Sequence, residues 1–333
     1  GFLPFIFVAF LALIYNPMLS LAVTKTMSFI LLYFVVLHYL FDKLKSNNSH
    51  LIDDVVYFGH FVIALGLILL PIFPDLVSYG GIRYNGMLGN PNGIGAHSTL
   101  YIPMTAYLFE KRRNISRSYK AFAWSIIFIS LLMCSSRNAI FSVTAFMLLY
   151  YGLRGNIYIR LVVGLVIMPL SALILLNIDL AQLVYSLGLG QYFRVEEFGS
   201  GSGRIFAWQH GLDLIKEHPV IGCGFACEEY YFIVATSRDL WITGHQGGVH
   251  NSYLAFIINT GMVGFILYMG FLVKIFAKVR NFHFMLAFLA SAAFSAMFES
   301  WLFSSLSTFH ILFLIMVMQL IADRFIPNFQ LRT

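Results

Sequence analysis

Charge is scarce in this chain of 333 residues: only 11% of them are charged, whereas 59% are hydrophobic and 17% aromatic. Soluble domains average about 25% charged and about 45–50% apolar residues, so this chain has too little polar surface to cover itself in water. The shortage excludes a soluble enzyme and a disordered tail. It also excludes a nucleic-acid binder, although the formal net charge is +6. The composition predicts an integral membrane protein.

Cysteine is also scarce, with three residues in the whole chain. Cys134 lies in an apolar run, and Cys223 and Cys227 lack the second pair of ligands that a zinc site needs. A disulfide between these two is possible outside the cytoplasm, but the pattern favours plain small apolar residues. Paired His or Asp spacings typical of metal sites are missing from the long polar segment. We therefore predict no metal site and no cofactor.

Long apolar runs are abundant, and a membrane-spanning helix needs about 20 mostly apolar residues. They predict an all-α integral membrane protein with about ten transmembrane helices and a large helical extracytoplasmic loop. The predicted spans are 1–15, 20–41, 55–73, 92–109, 119–134, 138–153, 160–177, 250–273, 283–302 and 305–323. The predicted division is therefore 1–177, the loop 178–249, and 250–333. The first span is short and begins without methionine, so we expect further sequence before it.

Lysine and arginine predict the orientation, because they stay on the cytoplasmic side of a membrane. One predicted face carries twice as many of the 21 basic residues as the other. This asymmetry puts both chain ends inside and the polar segments 74–91 and 178–249 outside. The basic excess is thus explained by topology and requires no anionic partner.

The long outer segment contains a helix signal over residues 204–218. Apolar side chains recur there on one helical stripe: Ile205, Trp208, Leu212 and Ile215. Ser202 fits a helix cap and Pro219 a helix stop. We expect an amphipathic helix that rests on the membrane face or on the helix bundle.

The sequence GSGSGR precedes this helix and has the composition of an anion site. Ser202 and Gly203 expose backbone N–H groups at a helix start, where the dipole adds partial positive charge. Arg204 adds a forked donor for phosphate oxygens. These residues predict a site of pyrophosphate size, although a loop with an ordinary cap and a solvated arginine fits the same pattern.

Two more residues stand out at the outer face. Arg137 lies at a short turn between apolar runs, where a charge faces a cavity or a partner or snorkels to the interface. His250 begins the span predicted over 250–273, where the helix dipole disfavours the imidazolium form. A neutral imidazole suits a general base near pH 7, and Asn251 and Tyr253 add hydrogen-bonding groups beside it. A plain interfacial anchor is the alternative for His250.

Three weaker candidates lie toward the same face. Arg83 and Asn90 belong to a turn rich in Gly, Asn and Pro, which turn chemistry alone also explains. Glu299 is an acid near the outer end of its span, and an acid at such depth is a functional-site hypothesis. Its expected partner is Arg137 or Arg204.

Four motifs follow one another on the outer side: SSRNA, SGSGR, HPVIGCGF and VHNSY. In this order, after the NPN turn, they resemble the O-antigen ligase and Wzy-type polymerase family. The resemblance implies a GT-C-like glycosyltransferase of the bacterial inner membrane, with its active site facing the periplasm under the large loop. It also implies a glycan donor on undecaprenyl pyrophosphate. The acceptor hydroxyl would belong to lipid A–core in a ligase, or to another lipid-linked repeat unit in a polymerase.

The resemblance also assigns roles to residues. Arg137 and Arg204 match the family's two arginines, His250 matches its catalytic histidine, and Gly222 and Gly224 match a P-x-x-G-x-G element. The implied reaction is metal-independent and inverting, with His250 as the base and the arginines on the leaving pyrophosphate.

Two other functional classes fit part of the sequence. A transporter of lipid-linked sugars is disfavoured, because transporters place polar residues near the middle of the membrane and often contain repeats. A membrane sensor or scaffold with an acidic outer segment would tolerate replacement of the arginines and of His250.

Overall fold

The computed structural model describes residues 2–40, 42–43, 50–79, 83–154, 204–235, 248–279, 281–304 and 307–325. Within these ranges the regular secondary structure is helical apart from one two-residue antiparallel ladder, β1 (Ser78–Tyr79) with β2 (Arg83–Tyr84). The α-helices there are α1 (Leu3–Leu11), α2 (Leu19–Phe34), α3 (Leu51–Leu69), α4 (Pro74–Val77), α5 (Pro91–Lys111), α6 (Arg117–Met133), α7 (Arg137–Arg154), α8 (Arg204–Glu217), α9 (Cys227–Glu229), α10 (Ser252–Phe276), α11 (Phe282–Phe298) and α12 (Thr308–Phe325). Short 3-10 or π segments cover Ala12–Tyr15, Val35–Leu40, Gly86–Leu88 and Tyr230–Ala235.

Three helical stretches are long and apolar enough to cross a membrane: Leu19–Leu40, Leu51–Leu69 and Ser252–Phe276. Shorter apolar helices cover Leu3–Tyr15, Phe282–Phe298 and Thr308–Asp323. Each coincides with a predicted span. Helices suit a bilayer because they satisfy their own backbone hydrogen bonds. The predicted spans 92–109, 119–134 and 138–153 also form helices, and the span 160–177 lies outside the described residues.

The chain divides into two compact units. The first unit comprises residues 1–49, 199–280 and 296–329, and the second comprises 50–198, 281–295 and 330–333. The second unit is centred on α5, which is buried along most of its length. An ion pair of 2.7 Å joins Arg112 Nη2 to Asp53 Oδ2 beside the end of that helix.

An aromatic core holds the first unit together. Buried rings from α1, α2 and α10 pack on one another, among them Phe5, Phe29, Tyr33, Phe256 and Tyr268. The Tyr33 hydroxyl is hydrogen-bonded to the Tyr268 hydroxyl and, at 2.9 Å, to His310 Nε2. Because aromatic side chains bury large areas, this core fixes α10, the helix that follows His250.

Helix α10 is interrupted at Gly261, whose backbone angles are φ 64° and ψ −179°. The segment 219–224 crosses the break and pairs with its backbone. The hydrogen bonds run from Met262 N–H to Pro219 O (2.9 Å), Val263 N–H to Val220 O (3.1 Å), Cys223 N–H to Ile258 O (3.0 Å) and Gly224 N–H to Asn259 O (2.8 Å). The crossing segment therefore satisfies backbone groups of the broken helix, as an apolar environment requires.

The crossing needs a glycine in each of the two backbone segments that meet. A Cβ atom on Gly261 would lie 2.2 Å from Val220 O, and one on Gly222 would lie 2.5 Å from Gly261 N. Gly222 also has a left-handed backbone, with φ 71°. The first glycine of the P-x-x-G-x-G element, Gly222, is thus required because two backbones approach closely there.

Helix α8 forms over nearly the predicted range, and Trp208 and Ile215 of its predicted stripe pack against the buried cluster of this unit, whereas Leu212 does not. Leu212 is 49% exposed, whereas Ala207, Gly211 and Leu214 are buried. A Cβ atom on Gly211 would lie 3.0 Å from Val249 Cγ2. Small residues let α8 approach its neighbours closely, so the buried face includes Ala207 and Gly211 beside bulkier apolar side chains.

The preferred interpretation of the two loop cysteines is also wrong. Cys223 and Cys227 form a disulfide that closes the turn between the crossing segment and α9. Both lie in the apolar cluster that joins this turn to α8 and α10. Asn16 secures the same turn by donating from Nδ2 to Cys223 O and Phe225 O, each at 2.8 Å.

Candidate functional site

Arg204 is the first described residue of α8 and lies against the end of α11. Its Nη2 donates to Glu299 Oε1 at 3.0 Å, and the two side chains are only 20% and 18% exposed. The guanidinium carbon also lies 5.9 Å from the centre of the Phe298 ring. Removal from water strengthens the attraction between the two charges. Glu299 is thus paired with Arg204, one of the two partners that the sequence suggested.

Glu299 also lies beside His250. Its second oxygen, Oε2, is 3.7 Å from His250 Nδ1, and the imidazole is 33% exposed. This distance is too long for a hydrogen bond but short enough for an electrostatic contact. The carboxylate therefore stands between a guanidinium and an imidazole from distant parts of the chain.

His250 precedes α10 rather than beginning it. The helix begins at Ser252, and Asn251 is its cap, because Asn251 Oδ1 accepts from the N–H groups of Tyr253 (3.0 Å) and Leu254 (3.1 Å). The helix therefore begins two residues after the predicted start of the span, and His250 lies just before the cap. His250 has a left-handed backbone with φ 45°, which is unusual outside glycine and is often found at functional sites.

A set of hydrogen bonds holds the residues after α11 against this turn. Ser252 Oγ donates to Glu299 O at 2.7 Å and accepts from Leu302 N–H at 3.2 Å. The N–H of Asn251 donates to Ser300 Oγ at 3.1 Å. These bonds fix the Glu299 backbone relative to His250, so the carboxylate and the imidazole meet reproducibly.

Glu228 supports the backbone just before the histidine. Its Oε1 accepts from Val249 N–H at 2.7 Å, and the residue is only 6% exposed. Burial raises the pKa of the Glu228 carboxyl to about 7; Glu229 raises this pKa further, while the Val249 N–H and His250 lower it. Glu228 thus titrates near neutral pH in contact with the turn that carries His250.

A cavity of about 180 Å³ opens beside His250 within the first unit. Its lining combines charged, polar and aromatic side chains: Lys25, Phe225, Ala226, Glu228, Glu229, Gly248, His250, Asn259, Ser300, Phe303 and Ser304. Lys25 Nζ and Glu229 Oε1 form an ion pair on its wall.

Sequence reasoning missed Lys25, Glu228 and Glu229. Lys25 counted only toward topology, and the adjacent acids were set aside as a poor chelating pair. A signal was present, because a lysine inside a long apolar helix requires a partner. The predicted site residues Ser202 and Gly203 lie outside the described residues.

The remaining candidates belong to the second unit. Arg83 donates to Cys134 O from Nε (3.2 Å) and Nη2 (3.0 Å), and so holds the turn between α6 and α7. Asn90 caps α5 by accepting from Asn92 N–H at 2.8 Å. Arg137 is the first residue of α7 and is half-buried. Arg83 and Asn90 therefore shape turns, and their contribution to a site stays a prediction.

Metal-ligating side chains are dispersed in the described part of the chain. No group of three or more His, Cys, Asp or Glu residues there is placed to hold a metal ion. The chemistry that the described side chains offer is instead that of a base, a carboxylate beside it and a guanidinium donor.

Comparison with known protein families shows which family the sequence around these residues resembles. Residues 121–269 match the Wzy_C family model, described as O-antigen ligase, whereas no curated protein matches the chain. The match defines a membrane enzyme of the glycosyltransferase type. More specifically, the chain carries an O-antigen ligase domain over residues 121–269, which confirms the resemblance drawn from its motifs. Such enzymes transfer lipid-linked glycans.

The matched range includes Arg137, Arg204 and His250, together with the crossing segment 219–224. It ends before Glu299. The acid that joins Arg204 to His250 therefore comes from outside the matched domain.

Proposed function

We propose that this protein is a metal-independent, inverting glycosyltransferase. It moves a glycan from undecaprenyl pyrophosphate to a hydroxyl of lipid A–core at the periplasmic face of the bacterial inner membrane. The observation that carries the proposal is the cluster of Arg204, Glu299 and His250 in a chain with an O-antigen ligase domain. It combines a base with a cation suited to phosphate.

In the proposed reaction, His250 Nε2 accepts the proton of the acceptor hydroxyl. The hydroxyl oxygen attacks the anomeric carbon from the face opposite the pyrophosphate, and the bond from that carbon to the phosphate oxygen breaks. Undecaprenyl pyrophosphate leaves with the electron pair, so the configuration inverts. Glu299 favours the tautomer with the proton on Nδ1 and stabilises the imidazolium that forms.

The leaving pyrophosphate gains negative charge during this step, and Arg204 is placed to oppose it. A guanidinium has five N–H donors, and the pair with Glu299 occupies one nitrogen. The start of α8 adds the positive end of a helix dipole, which favours a bound anion. The proposal assigns Ser202, Gly203 and Arg137 to the same anion on their motifs alone.

The proposed topology has about ten spans, with segment 178–249 in the periplasm. The apolar helices and the positions of the basic residues support it. The disulfide between Cys223 and Cys227 also supports it, because disulfides persist in oxidising compartments such as the periplasm.

A direct test is turnover by the purified full-length protein, supplied with lipid-linked glycan and lipid A–core. We expect His250→Ala to lose at least about 10²-fold in turnover, as removal of a general base does. The matched control is His283→Ala, because His283 is exposed at the start of α11 and should retain activity. Full turnover by His250→Ala at normal expression would contradict the base assignment, and loss of activity in EDTA would contradict the metal-free mechanism.

The alternative activity is a Wzy-type polymerase, which uses another lipid-linked repeat unit as acceptor. Deletion of the gene distinguishes the two. Loss of a ligase leaves long polymer on the lipid carrier, whereas loss of a polymerase leaves single repeat units.

A further inference from the structure

We propose that the cavity beside His250 binds the acceptor sugar, and that it takes an uncharged, hydroxyl-rich sugar residue rather than the diphosphate of the donor. The inference rests on the glycosyl transfer proposed above. In this proposal the donor and the acceptor approach His250 from different sides.

Position is the first argument. His250 lines the cavity, yet its Nδ1 lies toward Glu299, which is paired with Arg204. Neither Arg204 nor Glu299 lines the cavity. The guanidinium suited to phosphate thus lies outside the cavity wall, while the imidazole borders the cavity. A base must reach the acceptor hydroxyl while the donor occupies the anion site, and this arrangement allows both.

Charge is the second argument. The acidic residues Glu228 and Glu229 line the cavity, opposed by the single ammonium group of Lys25. With Glu228 protonated the three groups sum to zero, and with it ionised they sum to one negative charge. A diphosphate would be repelled or unassisted there. Sugar hydroxyls, in contrast, donate to carboxylates and accept from an ammonium group.

The hydrogen-bonding capacity of the wall is the third argument. Glu228 is deeply buried, and its carboxyl accepts from Val249 N–H and is hydrogen-bonded to the Asn259 side chain, which also lines the cavity. Ser300 Oγ accepts from Asn251 N–H, so its own proton can be donated to a ligand. Polar groups buried at a cavity wall recognise ligands strongly, since leaving them unpaired is costly.

Lys25 and Glu229 complete the wall from two elements. Lys25 belongs to a helical stretch that is apolar enough to cross a membrane, and Glu229 follows the disulfide turn. Their side chains are 30% and 43% exposed, so the pair borders the cavity without being sealed from water. An ionisable residue in such a helix marks a functional site by default.

Binding of defined probes tests the site. The full-length protein in nanodiscs, without donor, is titrated with D-galactose, D-glucose, N-acetyl-D-glucosamine and, separately, inorganic pyrophosphate, with saturation-transfer NMR as readout. We expect saturable binding of at least one sugar, weakened about tenfold in Glu229→Gln by loss of a charge-assisted hydrogen bond. Glu228→Gln, which keeps an acceptor for Val249, should act similarly. Pyrophosphate binding should fall in Arg204→Ala and not in Glu229→Gln.

Asp213→Asn is the matched control, because Asp213 forms an exposed ion pair with Lys216 outside the cavity. It should bind sugars as the unmodified protein does. The absence of saturable sugar binding would overturn the proposal, and so would equal sugar binding by Glu229→Gln and the unmodified protein. Pyrophosphate binding that depends on Glu229 rather than on Arg204 would also overturn it.

Kinetics separate this proposal from the underlying reaction. We expect Glu229→Gln to raise the KM for acceptor while the KM for donor is unchanged. If His250→Ala is inactive but the acceptor KM of Glu229→Gln is normal, the acceptor site is wrong and the transferase stands. If His250→Ala is fully active, the transferase mechanism fails whatever the acceptor KM.

Discussion

At the scale of single residues, Glu299 connects the two groups on which the proposed chemistry depends. It neutralises Arg204 through a contact of 3.0 Å and lies 3.7 Å from His250. An amide in its place keeps the shape but loses the charge that orients the imidazole. We expect Glu299→Gln to lower turnover about 10²-fold, a typical share for acid–base assistance. Turnover of the purified protein measures this change.

Glu217→Gln is the control for that variant, because Glu217 is exposed at the end of α8. It should retain normal turnover. Equal activities in the two variants would show that the carboxylate of Glu299 has no part in the reaction.

The buried carboxyl of Glu228 predicts a dependence of stability on pH. Its pKa rises from an ordinary 4.5 to about 7 in the folded protein, so between these values the folded state holds a proton that the unfolded chain has released. The free energy of unfolding should therefore fall as pH rises through this window, by about 3 kcal/mol in total. Thermal unfolding in nanodiscs at pH 4.5 to 8 measures it.

Glu228→Gln carries no titrating proton, so it should lose this decline and be more stable than the unmodified protein at pH 8. Glu217→Gln should keep the decline. A similar pH profile in Glu228→Gln and the unmodified protein would remove the assignment to Glu228.

At the scale of elements, the broken helix α10 predicts which of its glycines are essential. Gly261 has φ 64° and no room for a Cβ atom, whereas a Cβ atom on Gly270 of the same helix would meet nothing within 4 Å. Gly261→Ala should cost at least about 2–3 kcal/mol through overpacking and backbone strain. Gly270→Ala should be neutral or stabilising by about 0.5–1 kcal/mol. Thermal unfolding of the two variants compares them, and equal stability would contradict a packed crossing.

The helices themselves were predictable, because apolar length and periodicity are local properties of the chain. Helix α8 illustrates the limit of such patterns. Its existence and part of its buried face, with Trp208 and Ile215, followed from the sequence. The burial of Ala207 and Gly211 did not, because these residues are buried for their small size rather than their hydrophobicity. The interruption at Gly261 could not be predicted from the sequence either, because it depends on backbone hydrogen bonds with the distant segment 219–224.

At the scale of the whole molecule, the site is built from distant segments. Arg204 and Glu299 are 95 residues apart, and Lys25 and Glu229 are 204 apart. Motifs identified Arg204 and His250 because each has a distinctive local context. No local pattern marks Glu228, and the apolar context of Lys25 indicates only that it needs a partner; the fold alone shows that both border the cavity.

The orientation of the whole chain can be tested by cysteine labelling. The native cysteines should react little with a maleimide, since Cys134 is buried and Cys223 forms a disulfide with Cys227. Asp213→Cys lies in the proposed periplasmic segment, and Arg113→Cys lies in the basic turn between α5 and α6. A membrane-impermeant maleimide should label Asp213→Cys in intact spheroplasts, and Arg113→Cys only after permeabilisation, because basic turns stay in the cytoplasm. The reverse labelling pattern would place segment 178–249 and His250 on the cytoplasmic side of the membrane. Because the proposed donor is presented at the periplasmic face, this result would contradict the proposed reaction at that face.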